Sequence, residues 1–287
     1  MMRLFEPDIY AALFAMVKDR VPAPPKHRYG GCRKRISDEI CLLGLLLRFV
    51  SADAWESVER ELFLVGGIVV SDTTLRARRS EWVDAGVFHQ LMEDCLAIYN
   101  DLIGIDMGDV AVDGSVQLAP GGGPDTSICP GSKGRQAMKW SIGVDANGIG
   151  LGGIVVTGSA NDYPLLQPTL DEICARDWTA AIERLHLDRG YGYPSLPDKL
   201  TRHQINDVIV TMRQMPGRGR VQLAGLKRRW PVERTNSWMT NFKQLKHNND
   251  RTVEHRLAAI QLAFAILMLY RIVDHLNANN LPLQSIR

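Results

Sequence analysis

What most restricts the fold of this chain is a change of pattern after residue 103, where short β-rich runs begin. They fall at 110–112, 138–144, 151–157, 185–187 and 208–212. Glycine-rich segments separate the first three, as between consecutive antiparallel strands. Between the later runs stand two helical stretches, 161–173, opened by Asn161-Asp162-Tyr163-Pro164, and 194–203. A strand that returns through a helix lies parallel to the one it left. The pattern therefore predicts an α/β domain whose mixed sheet has three antiparallel strands extended by two parallel ones.

Residues 1–102 read as helical instead. Apolar residues recur at helical spacing over 5–17, 40–50, 54–64, 73–83 and 87–102. Pro22, Pro24 and Pro25 end the first segment, Ser37-Asp38-Glu39 opens the second, and Gly66-Gly67 stops the third. Ser71 is a candidate N-cap for the fourth, with Asp72 suited to the first turn. The Gly/Pro/Ser-rich stretch 119–134 is a loop. Two helices close the chain, 231–246, with Pro231 in its first turn, and 253–276. The expected division is a helical region, 1–102, followed by the α/β domain, 103–287.

Of the 287 residues, 45% are hydrophobic, enough for a large buried core, and 23% are charged, which excludes wholesale disorder. The net charge of +2 selects no partner, but residues 213–256 hold eleven Lys/Arg against three Asp/Glu. The five cysteines, Cys32, Cys41, Cys95, Cys129 and Cys174, are odd in number and lack C-x-x-C spacing. Reduced thiols in a cytoplasmic protein are expected, not a zinc or disulfide framework. Early acids (Glu6, Asp8, Asp19) speak against a secretory leader. The apolar stretch 257–273 is interrupted by Gln261 and Arg271, which suits a buried core helix and no membrane partner.

Three antiparallel strands extended by parallel ones form the ribonuclease H-like arrangement. Within it, the first and fourth strands are neighbours, and each delivers an aspartate beside a glycine: Val112-Asp113-Gly114-Ser115 and Leu187-Asp188-Arg189-Gly190-Tyr191. A third acid, Glu233, stands in the basic stretch Arg228-Arg229-Trp230-Pro231-Val232-Glu233-Arg234. On a helix, Glu233 shares a face with Arg229, Asn236, Ser237 and Thr240, while Val232, Met239, Phe242 and Leu245 form a packing stripe. Carboxylates from separate elements suit hard divalent ions, and two such ions roughly 3.5–4 Å apart can activate a nucleophile and relieve a leaving oxygen in phosphodiester cleavage. The chain has 32 acids, and an aspartate at a strand end is commonly a turn residue, so Asp106, Asp109, Asp145, Asp162 and Glu183 are competitors. Asp145, before Ala146-Asn147-Gly148, is most simply a turn former.

The three phrases around Asp113, Asp188 and Val232-Glu233-Arg234-Thr235 resemble the acid-bearing motifs of bacterial insertion-sequence transposases with a DDE triad, most closely the group numbered five. Gly131 to Lys139, Asn161-Asp162, Arg229, and Trp238, Asn241, Phe242, Lys243 and Leu245 resemble further family positions, and the stretches through Trp55 and Trp82 resemble its DNA-binding region. The resemblance implies a transposase that nicks element ends and joins 3′-hydroxyls to target DNA. It implies Asp113, Asp188 and Glu233 as catalytic and metal-holding acids, with two Mg2+ (or Mn2+) ions. It further implies double-stranded DNA as partner, at terminal inverted repeats and target, and a homodimer on DNA. One departure is Thr240, seven residues after the glutamate, where many relatives carry a cation; Lys243 resembles another subgroup's pattern. A catalytically silent DNA-binding protein of transposase origin is the alternative.

Cationic residues divide in two. Arg76, Arg78 and Arg79 lie on a helix after a Gly-Gly turn and read either as a recognition helix or as a solvated face. Arg218, Arg220, Lys227, Arg228 and Arg229 lead into the Glu233 helix, where they would neutralise phosphates. Lys34 and Arg35 are expected at the plain surface. Trp140, Trp178 and Trp238 are expected to pack, Tyr191 to pack near the acids, and His186 to be structural.

Overall fold

The computed structural model describes residues 3–24, 35–176, 181–211 and 230–282. Among the described residues, five α-helices come first: α1 (Pro7–Lys18), α2 (Asp38–Ser51), α3 (Trp55–Gly66), α4 (Asp72–Asp84) and α5 (Val87–Leu102). Their starts are chemically marked. Ser37 Oγ accepts from Ile40 N at 3.3 Å and Ser71 Oγ from Thr74 N at 3.2 Å, each satisfying a backbone donor that the first turn leaves open. Gly67, at φ +63°, ends α3 in the left-handed conformation that glycine tolerates.

The sheet follows: β1 (Val110–Leu118), β2 (Ser127–Ile128), β3 (Gln136–Val144), β4 (Gly150–Thr157), β5 (Arg184–Asp188) and β6 (Asp207–Thr211), with α6 (Asp162–Ile173) and α7 (Leu196–Thr201) as the connecting helices. β3 pairs antiparallel with both β1 and β4, β5 pairs parallel with β1, and β6 pairs parallel with β5. This is the expected mixed sheet. The short β2 is an addition, set within the stretch expected to be a loop and held on β3 by Ser127↔Ala137. The Ser127 hydroxyl bonds Thr157 Oγ1 at 2.7 Å, which ties it to β4 as well.

Among the described residues, three helices follow: α8 (Trp230–Met239), α9 (Lys243–Lys246) and α10 (Val253–Ala278). The single helix expected over 231–246 is broken at 240–242. Asn241 N and Phe242 N bond back only three residues, to Trp238 O and Met239 O. Phe242 then leaves helical geometry (φ −74°, ψ 104°), and its buried ring packs on Phe49 of α2 with centroids 4.5 Å apart. Seating one aromatic side chain in the core outweighs continuing the helix.

α10 is long and apolar enough to cross a membrane by composition, yet 67% of its most apolar window is buried inside the fold. It packs against α5 and α4 on one side and β4 on the other. Gly150 of β4 leaves room for the Phe264 ring. The hydrophobic core is therefore continuous from α1 to the sheet and crosses the expected boundary at residue 102.

Candidate active site

Pairing of β1 with β5 brings two acids together. The register is Val110↔Leu185 and Ala111↔His186, so two residues further on Asp113 and Asp188 hold equivalent positions on adjacent parallel strands. Strand alternation puts both on the face of Ala111 and His186. Both are half-buried. Asp188 also caps the short 3-10 turn Arg189–Tyr191 by accepting from Gly190 N.

The helix that bears Glu233 is docked on that same face. Trp140, fully buried on β3, donates its indole N–H to Asn236 Oδ1 at 2.8 Å, and Asn236 Nδ2 donates to Asp113 Oδ2 at 3.3 Å. An indole nitrogen only donates, which settles the amide's orientation. Val232, Met239, Phe242 and Leu245 are buried as the stripe predicts. Glu233 is exposed, one turn before Asn236 on the same helical face.

The turn between β3 and β4 fixes the start of α8. Arg234 donates to Asn147 O, and Thr235 Oγ1 donates to Gly148 O at 2.6 Å. Asp145 builds this turn as expected, with Oδ1 accepting from Asn147 N at 2.9 Å and Ile149 N at 2.8 Å. Burial pushes its carboxyl pKa up, against the backbone N–H groups that favour the anion. Asp109 is bound up with His186 Nε2 at 2.7 Å and Arg184 Nη1 at 3.3 Å, and Asp106 with Gly108 N at 2.9 Å. His186 is thus structural, as expected.

Asp162, one of the competing acids in the sequence, lies close to the first aspartate's strand. It starts α6, and its Oδ1 accepts from Lys139 Nζ at 3.0 Å. Nearby, Tyr191 is buried, and its hydroxyl makes no well-aligned hydrogen bond, though Ser141 lies close. Burial raises its pKa most, and Asp162, Asp113 and Asp188 raise it further. Gly114, directly after Asp113, leaves the space that Asp162 Oδ1 approaches.

The donors suit a hard divalent ion chemically, and an orphaned buried hydroxyl amid the carboxylates marks polar space at the strand ends. Among the described residues, however, no three acid, histidine or cysteine side chains close on one point at ion-holding distance. The register brings Asp113 and Asp188 side by side, and Glu233 is exposed on α8.

Two of the basic expectations are corrected. Arg78 and Arg79 are only 4% and 8% exposed. They share the inward face of α4 with the buried Leu75 and Trp82, at the spacing that defines one helical stripe. Arg78 binds Asp38 and the Ile36 carbonyl, and Arg79 makes a two-pronged pair with Asp250 at 2.5 and 2.8 Å. They tie the fold together through these buried contacts. Arg76 is exposed, within reach of Glu56 at 2.6 Å and Asp72 at 3.0 Å. Lys243 is exposed at the start of α9. Arg35 pairs with Glu81 at 2.9 Å. Trp238 is half-buried, with the guanidinium carbons of Arg234 and Arg271 4.6 and 5.4 Å from its ring centroid. Arg218, Arg220, Lys227, Arg228, Arg229, Lys34 and Trp178 lie outside the described residues.

Comparison with known proteins agrees with this geometry. The family model described as "Transposase DDE domain" matches residues 105–269, more than half of the chain, and spans all three acids. A Burkholderia cepacia protein assigned as the transposase of insertion sequence element IS402 is 30% identical over 151 residues, covering 51% of this chain and 69% of that protein. Among solved structures, the piggyBac transposase in its synaptic complex with hairpin DNA superposes with a TM-score of 0.56 at 12% identity. It covers 99% of this chain and 76% of its own, a likeness of fold. With a mixed sheet that aligns two strand-end aspartates and a matched domain that contains them, the chain belongs to the transposase DDE family, as a DDE transposase of the bacterial insertion-sequence type.

Proposed function

We propose that this transposase hydrolyses the phosphodiester backbone at the ends of its insertion sequence and joins the exposed 3′-hydroxyls to target DNA, with Asp113, Asp188 and Glu233 as ligands of Mg2+ or Mn2+. The observation that carries this reading is the β1–β5 register, which sets Asp113 beside Asp188 under the helix of Glu233. Divalent ions held there would supply an activated water and relief of charge on the leaving oxygen. The chain's own part is positioning. Asn236 restrains the Asp113 carboxylate, the Asp145 turn anchors the start of α8, and the buried Val232 and Met239 hold α8 against the sheet. Groups fixed in advance need no reorganisation when charge develops.

Double-stranded DNA is the partner in this reading, at terminal repeats and at the target, and a homodimer would hold two ends. The exposed Lys243 and the basic residues of 218–229 are assigned to phosphate contact. The test uses duplexes carrying the terminal repeats that flank the reading frame. Asp113→Ala, Asp188→Ala and Glu233→Ala should each abolish metal-dependent nicking while retaining the duplex. A variant that still nicks removes its residue from the set. A parent chain that binds ends tightly and never cuts them supports the catalytically silent alternative.

A further inference from the structure

The turn that follows Asp188 carries an aromatic ring that the core does not absorb. Tyr193 is 50% exposed. Its ring stacks on Tyr163 of α6, with centroids 4.2 Å apart and planes tilted by 33°. Half of Tyr193 stays in water, as for a ring covered on one face only. A ring so placed gains little from burial, and its open face is free for a ligand.

The ring is also held in place. Tyr193 N donates to Tyr191 O at 2.9 Å, and Tyr193 O accepts from Leu196 N at 3.0 Å. Pro194 restricts the backbone of the residue before it. Tyr163 is half-buried and packed against the core. Its hydroxyl bonds Ser195 Oγ at 2.5 Å, and Lys199 Nζ lies 4.8 Å from its ring centroid. An aromatic face fixed in advance loses little freedom when a flat partner lands on it. Asp188 caps the turn that leads to Tyr193, so the ring belongs to the same carboxyl end of β5 as that acid.

The surroundings are cationic. Residues 189–202 hold Arg189, Lys199 and Arg202 against Asp198. Arg189 is exposed, and Arg202 is 68% exposed and only loosely paired, 3.8 Å from Asp171. Positive charge beside an open aromatic ring is the combination that binds single-stranded nucleic acid, with cations on phosphate and the ring on a base. Inside a duplex both faces of a base are covered by its neighbours. Only an unpaired or terminal base can accept such a ring.

We propose that Tyr193, backed by Tyr163, stacks on an unpaired base of a DNA strand at the carboxyl end of β5, with Arg189 and Arg202 on the phosphates of that strand. This rests on the reading of Asp188 as part of the cleavage site, since hydrolysis there frees a strand end whose base can leave the helical stack.

The experiment measures binding of the full chain to a labelled oligothymidylate and to a mixed-sequence duplex of equal length, by fluorescence anisotropy, with circular dichroism to verify folding. Tyr193→Ala should weaken single-strand binding by about tenfold, the scale of one base stack, and leave duplex binding unchanged. Tyr193→Phe should match the parent, because stacking needs the ring and not the hydroxyl. Parent-like single-strand binding in Tyr193→Ala overturns the proposal. So does Tyr193→Phe as weak as Tyr193→Ala, which would mean a hydroxyl bond, or an equal loss on the duplex, which would mean a general charge surface. If Tyr193→Ala does not fold, Tyr193→Leu decides, and parent-like single-strand binding without an aromatic ring overturns the proposal. A parent that does not bind the single strand overturns it as well. Failure of the underlying reading looks different: single-strand binding depends on Tyr193, yet the parent never nicks an end duplex.

Discussion

Asn236 Nδ2 donates to Asp113 Oδ2 at 3.3 Å, a bond that joins the helix of Glu233 to the strand of the first aspartate. The same amide accepts from the buried Trp140 Nε1 on β3 at 2.8 Å, so its orientation is not free to reverse. Asn236→Asp would face Asp113 with a like charge and remove the donor. Single-turnover nicking of an end duplex should fall by about ten- to a hundredfold. Retention of Trp140's acceptor should limit the stability loss to about 1–2 kcal/mol. An unchanged nicking rate would show that Asp113 needs no help from α8.

The Arg79–Asp250 pair predicts an acid-sensitive fold. Asp250 is 6% exposed, and burial alone would raise its pKa. The charge and bonds of Arg79, with further help from Arg48 and Gln244, outweigh burial and hold the carboxyl below the ordinary carboxylate range. A depressed folded pKa contributes stability that is present above the unfolded value of about 3.9 and is lost as pH falls below it. Asp250→Asn should therefore lose about 3–5 kcal/mol near neutral pH, since it strands a buried guanidinium. Between about pH 4 and pH 2 its stability should fall less steeply than the parent's. Urea melts across that range measure both slopes, and parallel slopes would refute the assignment.

Arg76 and Arg78 should separate cleanly although they stand two residues apart. Arg76→Ala removes an exposed side chain with rim ion pairs, so unfolding free energy should change by less than about 1 kcal/mol. If Arg76 touches phosphate, the salt dependence of end binding should lose about one ion's worth of slope. Arg78→Ala strips the buried partner of Asp38 and should lower the melting temperature at any salt concentration. A stable Arg78→Ala with weakened end binding would return Arg78 to the DNA surface.

Gly150→Ala tests the seam between sheet and C-terminal helix. The added methyl would overlap the Phe264 ring, and a close-packed core resists such insertion by about 1–3 kcal/mol. Phe264→Leu in the same chain should recover part of that loss, because the two sites share one contact. Additive losses, measured by denaturant melts, would mean that the ring moves aside unaided.

Much of this architecture is legible without coordinates. Ser37 and Ser71 cap the helices they precede, the glycine-rich turns divide the antiparallel strands, and Asp113 and Asp188 stand at the ends of neighbouring strands. What misleads is charge: Arg78 and Arg79 read as a solvated or DNA-facing cluster until the stripe of Leu75 and Trp82 that they share is taken seriously.

By itself the sequence determined the order and type of the elements and the strand positions of two acids, because caps, turns and periodicity act between residues a few places apart. Tertiary structure alone decided that Arg79 meets Asp250, that Phe242 breaks a helix to reach Phe49, and that Asp162 with Lys139 fills the space beside Gly114. Those outcomes depend on which distant groups share a buried volume. Burial energy and charge pairing in that volume are properties of the packed chain, not of any local stretch of it.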